Sequence, residues 1–292
     1  MVYPRGTRRV RCQQMPRTAI VFPGQGSQTS EMRDTVAQVR PDLLAMAVDA
    51  VGEDPFPRAG DGTRFAQPAI FCASLAGWAR LGCPEGDFMA GHSLGELAAL
   101  VAAGSIGERD GIELVALRGA LMQRAGQQAG DGGMIAVMGA GAAENAQSLA
   151  DAHGLAVAND NSPQQIVLSG PRPSLPGAIA AGKELGLRAM ELAVTGAFHS
   201  PMMESAVPEF AAALERVEVR APRVTVLSAV TAEPFDDVRA RLTEALIQPV
   251  RWRETMLALQ ELGAERFVEV GPGKVLTGLA KRTLKDVELV SA

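Results

Sequence analysis

Hydrophobic and polar positions alternate along this chain in two rhythms, and the change from one to the other divides it. Thr18-Ala19-Ile20-Val21-Phe22 is a short apolar run that stops at Pro23-Gly24, the pattern of a buried strand. A helix is expected over 31–51, interrupted or begun by Pro41, whose ring locks φ and removes a donor. Residues 66–81 read as a mostly buried helix, 87–90 as a short strand running into Gly91, and 94–103 and 108–125 as helices. Strands alternating with helices predict a parallel sheet covered on both faces.

Beyond the linker Gly130-Asp131-Gly132-Gly133 the order becomes strand 134–138, helix 142–152, strands 155–159 and 165–169, helix 174–185 and strand 187–193. This β-α-β-β-α-β succession is the split βαβ of a ferredoxin-like subdomain. After His199 the first rhythm resumes: helix 201–216, strand 223–227, helices near 236–247 and 252–262, strand 266–270 and helix 274–282. The expected fold is α/β, with a large domain from 18–129 and 197–292 and an inserted α+β subdomain at 130–196.

The first seventeen residues fit neither rhythm. They carry Arg5, Arg8, Arg9, Arg11 and Arg17, and no acidic residue precedes Glu31. They lack the apolar segment of a secretory signal. An organelle transit peptide is one reading, although serine is missing; a disordered tail ahead of a start near Met15 is the preferred one.

Bulk properties narrow the function classes. A length of 292 residues accommodates a large core with an inserted subdomain. The net charge of −5 gives no reason to expect a nucleic-acid partner. No apolar run approaches the roughly 20 residues that span a bilayer, so a soluble, cytoplasmic protein is expected. Cys12, Cys72 and Cys83 have no metal-ligand spacing. Cys72 sits in an apolar run and reads as a buried, inert thiol. Neither disulfides nor a metal site are expected.

Candidate chemistry begins at Gly91-His92-Ser93-Leu94-Gly95. G-x-S-x-G places a serine on a strained strand-to-helix turn with its hydroxyl exposed, and the helix N-terminus behind it can stabilise an oxyanion. The alternative is a helix-capping serine without chemistry. A serine nucleophile needs a base, and the chain has three histidines. His92 should project away from the Ser93 hydroxyl, and His153 reads as a helix C-terminal position before Gly154. His199, in Ala197-Phe198-His199-Ser200-Pro201, is left as the base. On a wheel of roughly 100° per residue, Arg118 falls among Leu114, Val115, Leu121 and Met122. A core-facing arginine needs a partner. It is either half of an internal salt bridge or a guanidinium for a ligand carboxylate, and these residues alone do not decide between them.

Together the motifs resemble the malonyl-CoA:acyl carrier protein transacylase family. They are Phe22-Pro23-Gly24-Gln25-Gly26-Ser27-Gln28, Gly91 to Glu96, Leu117-Arg118-Gly119, Ala158 to Pro163, Phe198 to Met203, Pro249-Val250-Arg251-Trp252 and Glu269 to Leu276, in the family's order from Thr18 onward. The resemblance implies a hydrolase-like core with a ferredoxin-like insertion. It implies Ser93 as acyl carrier, His199 as base, and the backbone N–H groups of Gln25 and Leu94 as oxyanion hole. Arg118 would grip the malonyl carboxylate, Phe198 would fill the space of an α-methyl group, and Asn159 and Asn161 would line the site. A carbonyl corresponding to that of Ala245 would orient the imidazole. Malonyl-CoA and an acyl carrier protein are the implied partners, with no further cofactor and a monomeric state. The segment 29–63 looks short for the family. Rival readings are a polyketide-synthase or malonate-decarboxylase malonyltransferase, an acyl hydrolase on the same scaffold, and a non-catalytic interaction module.

Overall fold

The computed structural model describes residues 16–292. Residues 1–15, with Cys12 and most of the expected tail, lie outside the described residues. Arg17, the last of that tail, lays its guanidinium 4.5 Å from the Phe88 ring centroid and donates to the Leu262 carbonyl at 2.7 Å.

Strand β1 (Thr18–Phe22) is followed by α1 (Met32–Val39) and α2 (Pro41–Val51). The expected single helix breaks at Arg40 (φ −140°, ψ 66°), because Pro41 cannot continue a ladder but suits the first position of the next helix. Helix α3 (Thr63–Arg80), β2 (Phe88–Gly91), α4 (Gly95–Ala102) and α5 (Glu108–Gln128) complete the first part. Next come β3 (Gly132–Met138), α6 (Ala142–His153), β4 (Ala156–Ser162), β5 (Gln165–Pro171), α7 (Leu175–Glu184) and β6 (Arg188–Glu191). The last part holds α8 (Val207–Leu214), β7 (Thr225–Leu227), α9 (Val238–Glu244), α10 (Trp252–Glu261), β8 (Arg266–Glu269), α11 (Val275–Thr283) and β9 (Glu288–Ser291).

The larger sheet is parallel, in the order β7-β2-β1-β8-β9. Alternation along its strands sorts side chains onto two faces. Ile20, Phe22 and Met89 join the core built from α3, α4 and α5, with Phe71, Leu97 and Val115. Ala19, Val21, Phe88 and Ala90 join Trp252, Met256, Leu276 and Leu279 of α10 and α11. The smaller sheet is antiparallel, in the order β4-β5-β3-β6. Ile135 and Val137 face α6 and α7, against Leu149 and Leu175, while Met134 and Ala136 line a cavity between the two sheets.

Polar contacts tie the sheets together. The Asp160 N–H donates to the Val250 carbonyl and the Val250 N–H to the Ala158 carbonyl, both at 2.9 Å. Arg253 grips the Asp160 carboxylate through Nε at 2.9 Å and Nη2 at 2.6 Å.

Two elements differ from the sequence reading. The helix expected at 201–216 opens as a 3-10 helix (Pro201–Ala206) before α8, with Ser200 Oγ accepting from the Met202 N–H. Strand β9 was not anticipated. Among the described residues, no helix is long and apolar enough to cross a membrane.

Candidate active site

The site lies where β1 and β2 end. Gly91 closes β2, and Ser93 turns the chain into α4 with φ of +53°. Only a chain without side chains at two points can make this turn. A Cβ on Gly91 would sit 1.9 Å from the Gly95 carbonyl carbon, and one on Gly95 would sit 2.2 Å from the Phe22 carbonyl oxygen. The turn that these glycines permit puts Ser93 in the left-handed region, at a cost that a packed site can hold.

Ser93 Oγ lies 2.9 Å from His199 Nε2. His199 also has a left-handed φ, +56°, and is buried. Burial pushes its pKa down to about 3; the nearby charge of Arg118 and then His92 push the same way. The imidazole is therefore neutral at pH 7 and free to accept the serine proton. The carbonyls of Ala245 and Gln248 favour the protonated ring. Nδ1 itself has no partner within hydrogen-bond geometry. The single orienting bond to Ala245 expected from the resemblance is thus replaced by two looser carbonyl neighbours.

Arg118 projects from the buried face of α5. Nη2 donates to Ser93 Oγ at 3.2 Å and Nη1 to Gln67 Oε1 at 2.8 Å. Among the described residues no carboxylate comes within 4.0 Å of it, so the internal salt bridge is absent. Glu96, on the first turn of α4, is its electrostatic neighbour; burial pushes that carboxyl up to about 7 and the guanidinium down to about 10. Arg118 therefore stays charged at pH 7. The Glu96 carboxylate is itself occupied, accepting from the Ala229 N–H at 2.7 Å and Ser228 Oγ at 3.2 Å.

Leu94 is the residue at the N-terminal cap of α4, and Gln25 follows the Pro23-Gly24 stop of β1. Both line the cavity, as do Ser93, Arg118, Asn159, Asn161, Phe198 and His199. All eight residues singled out in the sequence therefore meet at one cavity of about 400 Å³. Asn161 Oδ1 lies 2.8 Å from His92 Nε2. An amide oxygen only accepts, so Nε2 carries the proton. His92 also stands edge-on to Trp252, with ring centroids 5.6 Å apart. His92 makes no hydrogen bond to Ser93 Oγ, although it lines the same cavity. Gln67 and Glu96 were missed. A polar residue capable of several hydrogen bonds inside the otherwise apolar run of α3, or a carboxylate inside that of α4, is the signal that would have found them. Among the described residues no group of His, Cys, Asp and Glu could hold a metal ion.

Residues 47–292 match the model of a family described as the acyl transferase domain. The chain belongs to the acyl transferase domain family. Its relatives include the malonyl CoA-acyl carrier protein transacylase of Haemophilus influenzae, 37% identical over 95% of both chains. They also include the polyketide biosynthesis protein ThaF of Burkholderia thailandensis, 41% identical over 91% of this chain. The chain spans 24% of ThaF's length. Among solved structures, the malonyl-CoA:acyl carrier protein transacylase of Xanthomonas oryzae pv. oryzae superposes with a TM-score of 0.86 over 94% of both chains, at 36% identity. Acyl transferase family membership and these structural neighbours agree with the α/β reading of the fold.

Proposed function

We propose that this chain transfers malonyl from malonyl-CoA to the phosphopantetheine thiol of an acyl carrier protein, through an ester on Ser93. Arg118 carries the reading: a buried, charged guanidinium without a carboxylate partner stands 3.2 Å from the candidate nucleophile. A site that cleaved unsubstituted acyl groups would have no use for that charge, whereas a malonyl carboxylate completes it through two parallel hydrogen bonds.

The geometry supports a ping-pong sequence. His199 Nε2 takes the Ser93 proton as Oγ attacks the thioester carbonyl. The N–H groups of Leu94 and Gln25, which donate to no protein acceptor among the described residues, receive the oxyanion. The tetrahedral centre collapses, His199 returns its proton to the leaving thiolate, and coenzyme A departs. Malonyl-Ser93 remains with its carboxylate on Arg118. The carrier thiol then gives its proton to His199 and attacks the ester, and collapse restores the serine. Phe198, at the cavity wall, would occupy the space of an α-methyl group, worth on the order of 1–3 kcal/mol against methylmalonyl.

A carrier from fatty acid synthesis is the first candidate acceptor. The similarity to a polyketide biosynthesis protein favours a second reading with the same chemistry and a polyketide-assembly carrier. Incubation of the purified protein with malonyl-CoA and each phosphopantetheinylated carrier, followed by mass measurement of the carrier, tests transfer and chooses between acceptors. A malonylated carrier with the wild type and none with Ser93→Ala is the expected outcome. Release of free coenzyme A at one rate with or without carrier would instead indicate a hydrolase.

A further inference from the structure

Gln67 has no part in the steps above, yet it holds the residue on which they depend. It lies on α3, 2% exposed, with Oε1 accepting from Arg118 Nη1 at 2.8 Å. Its Nε2 reaches Thr63 Oγ1, one turn back, at 2.8 Å and Met122 Sδ, one turn beyond Arg118 on α5, at 3.4 Å. A guanidinium only donates and a thioether only accepts. Only one face of the amide therefore fits: oxygen towards Arg118, nitrogen towards Thr63 and Met122.

The helices that carry these residues are locked in register. A Cβ on Gly119 would lie 2.7 Å from the Thr63 carbonyl oxygen and 3.0 Å from the Arg64 Cα. Backbone meets backbone beside the Gln67–Arg118 contact, so neither helix can slide to relax it.

We propose that Gln67 is a specificity-determining positioning residue, a neutral acceptor that aims the Arg118 guanidinium at a malonyl carboxylate without cancelling its charge. The proposal rests on the role given to Arg118 above. A glutamate here would fill nearly the same space and would be the stronger partner. It would also complete the ion pair internally, and an incoming carboxylate would then meet a neutralised arginine and a second buried negative charge. The amide supplies geometry and leaves the charge to the ligand.

The test uses Gln67→Glu and Gln67→Leu in the full chain, with the malonate ion as a binding probe and malonyl-CoA and acetyl-CoA as acyl donors. For wild type, malonate should raise Tm. For Gln67→Glu, Tm without ligand should equal or exceed the wild-type value and the malonate shift should vanish. Its KM for malonyl-CoA should rise by at least about tenfold, while the rate of Ser93 acetylation stays within about twofold. Gln67→Leu keeps the charge but loses the aim, so its malonyl-CoA KM should rise less than that of Gln67→Glu. A Gln67→Glu protein that is folded, still shifted by malonate and unchanged in KM overturns the proposal. Equal losses of malonylation and acetylation in both variants do so too, since they indicate support of the fold alone. Malonyl transfer by wild type is measured beside them; its absence counts against the proposed function, whereas an indifferent Gln67→Glu counts against Gln67 only.

Discussion

At the scale of single residues, the site sets a neutral imidazole and a cation without a carboxylate partner within a few ångströms of one hydroxyl. Ser93 Oγ touches both, His199 at 2.9 Å and Arg118 at 3.2 Å. The two are coupled, because the arginine charge is the second cause, after burial, of the depressed His199 pKa. A base with its pKa near 3 remains deprotonated well below the usual imidazole value of about 6.5. The acylation rate of Ser93 by malonyl-CoA, followed in a single turnover, should therefore stay flat as pH falls from 8 to 5. Replacing Arg118 with Met removes a lowering influence, so the acid limb of the residual reaction should move up towards 6.5. A wild-type limb already at 6.5, or one that Arg118→Met leaves in place, would contradict this coupling. The serine and histidine were legible through the G-x-S-x-G turn and by elimination among three histidines. Arg118 was legible as an anomaly on a helical wheel, but its lack of a carboxylate partner was not. That is a fact of three dimensions, since any of the acidic residues could have been folded against it.

At the scale of elements, chain direction and capping place the site. Parallel strands β1 and β2 bring Gln25 and Ser93 out at the same end of the sheet, the end where open parallel sheets bind ligands. Helix α11 closes the other side of the cavity with Val275, Leu276 and Leu279. Its start is held by Glu269, which ends β8 and accepts from the Leu276 N–H at 2.9 Å and from the Thr277 N–H and Oγ1 at 2.7 Å each. Charged hydrogen bonds of this kind contribute about 1.5–3 kcal/mol. Glu269→Ala should lower stability by roughly 3 kcal/mol, a few such bonds less the relaxation around them, in denaturant unfolding. It should also raise KM for malonyl-CoA more than it lowers kcat. No loss of stability would mean that α11 is held by its apolar face alone. Alternation and Gly-Pro punctuation made most elements legible. Strand β9 escaped because Glu288-Leu289-Val290-Ser291 is four residues long with two apolar positions, too short to show a period. The 3-10 helix at 201–206 read as α because Pro201 and the apolar pattern suit both.

At the scale of the molecule, the cavity belongs to neither sheet alone. The larger sheet and its helices supply Ser93, Gln25, Leu94 and Arg118; the smaller supplies Met134, Ala136, Val167 and the Asn159–Asn161 strand. The Asp160–Arg253 pair and the backbone bonds at Val250 join β4 to the start of α10 beside the same wall. The split rhythm of the chain thus has a structural consequence: one sheet brings Ser93, His199 and Arg118 to the cavity and the other walls it. What the sequence pattern could not convey is which face of the small sheet would look inward. Met134 and Ile135 are both apolar, and only packing against α6 and α7 assigns Ile135 to the far side. The most direct test of the whole arrangement is intact-protein mass measurement after brief mixing with malonyl-CoA, acetyl-CoA or methylmalonyl-CoA, without carrier protein. The account predicts one malonyl adduct, lost in Ser93→Ala, with the acetyl adduct forming far more slowly and the methylmalonyl adduct faint or absent. Adducts of equal yield from all three donors, or a malonyl adduct that survives Ser93→Ala, would contradict it.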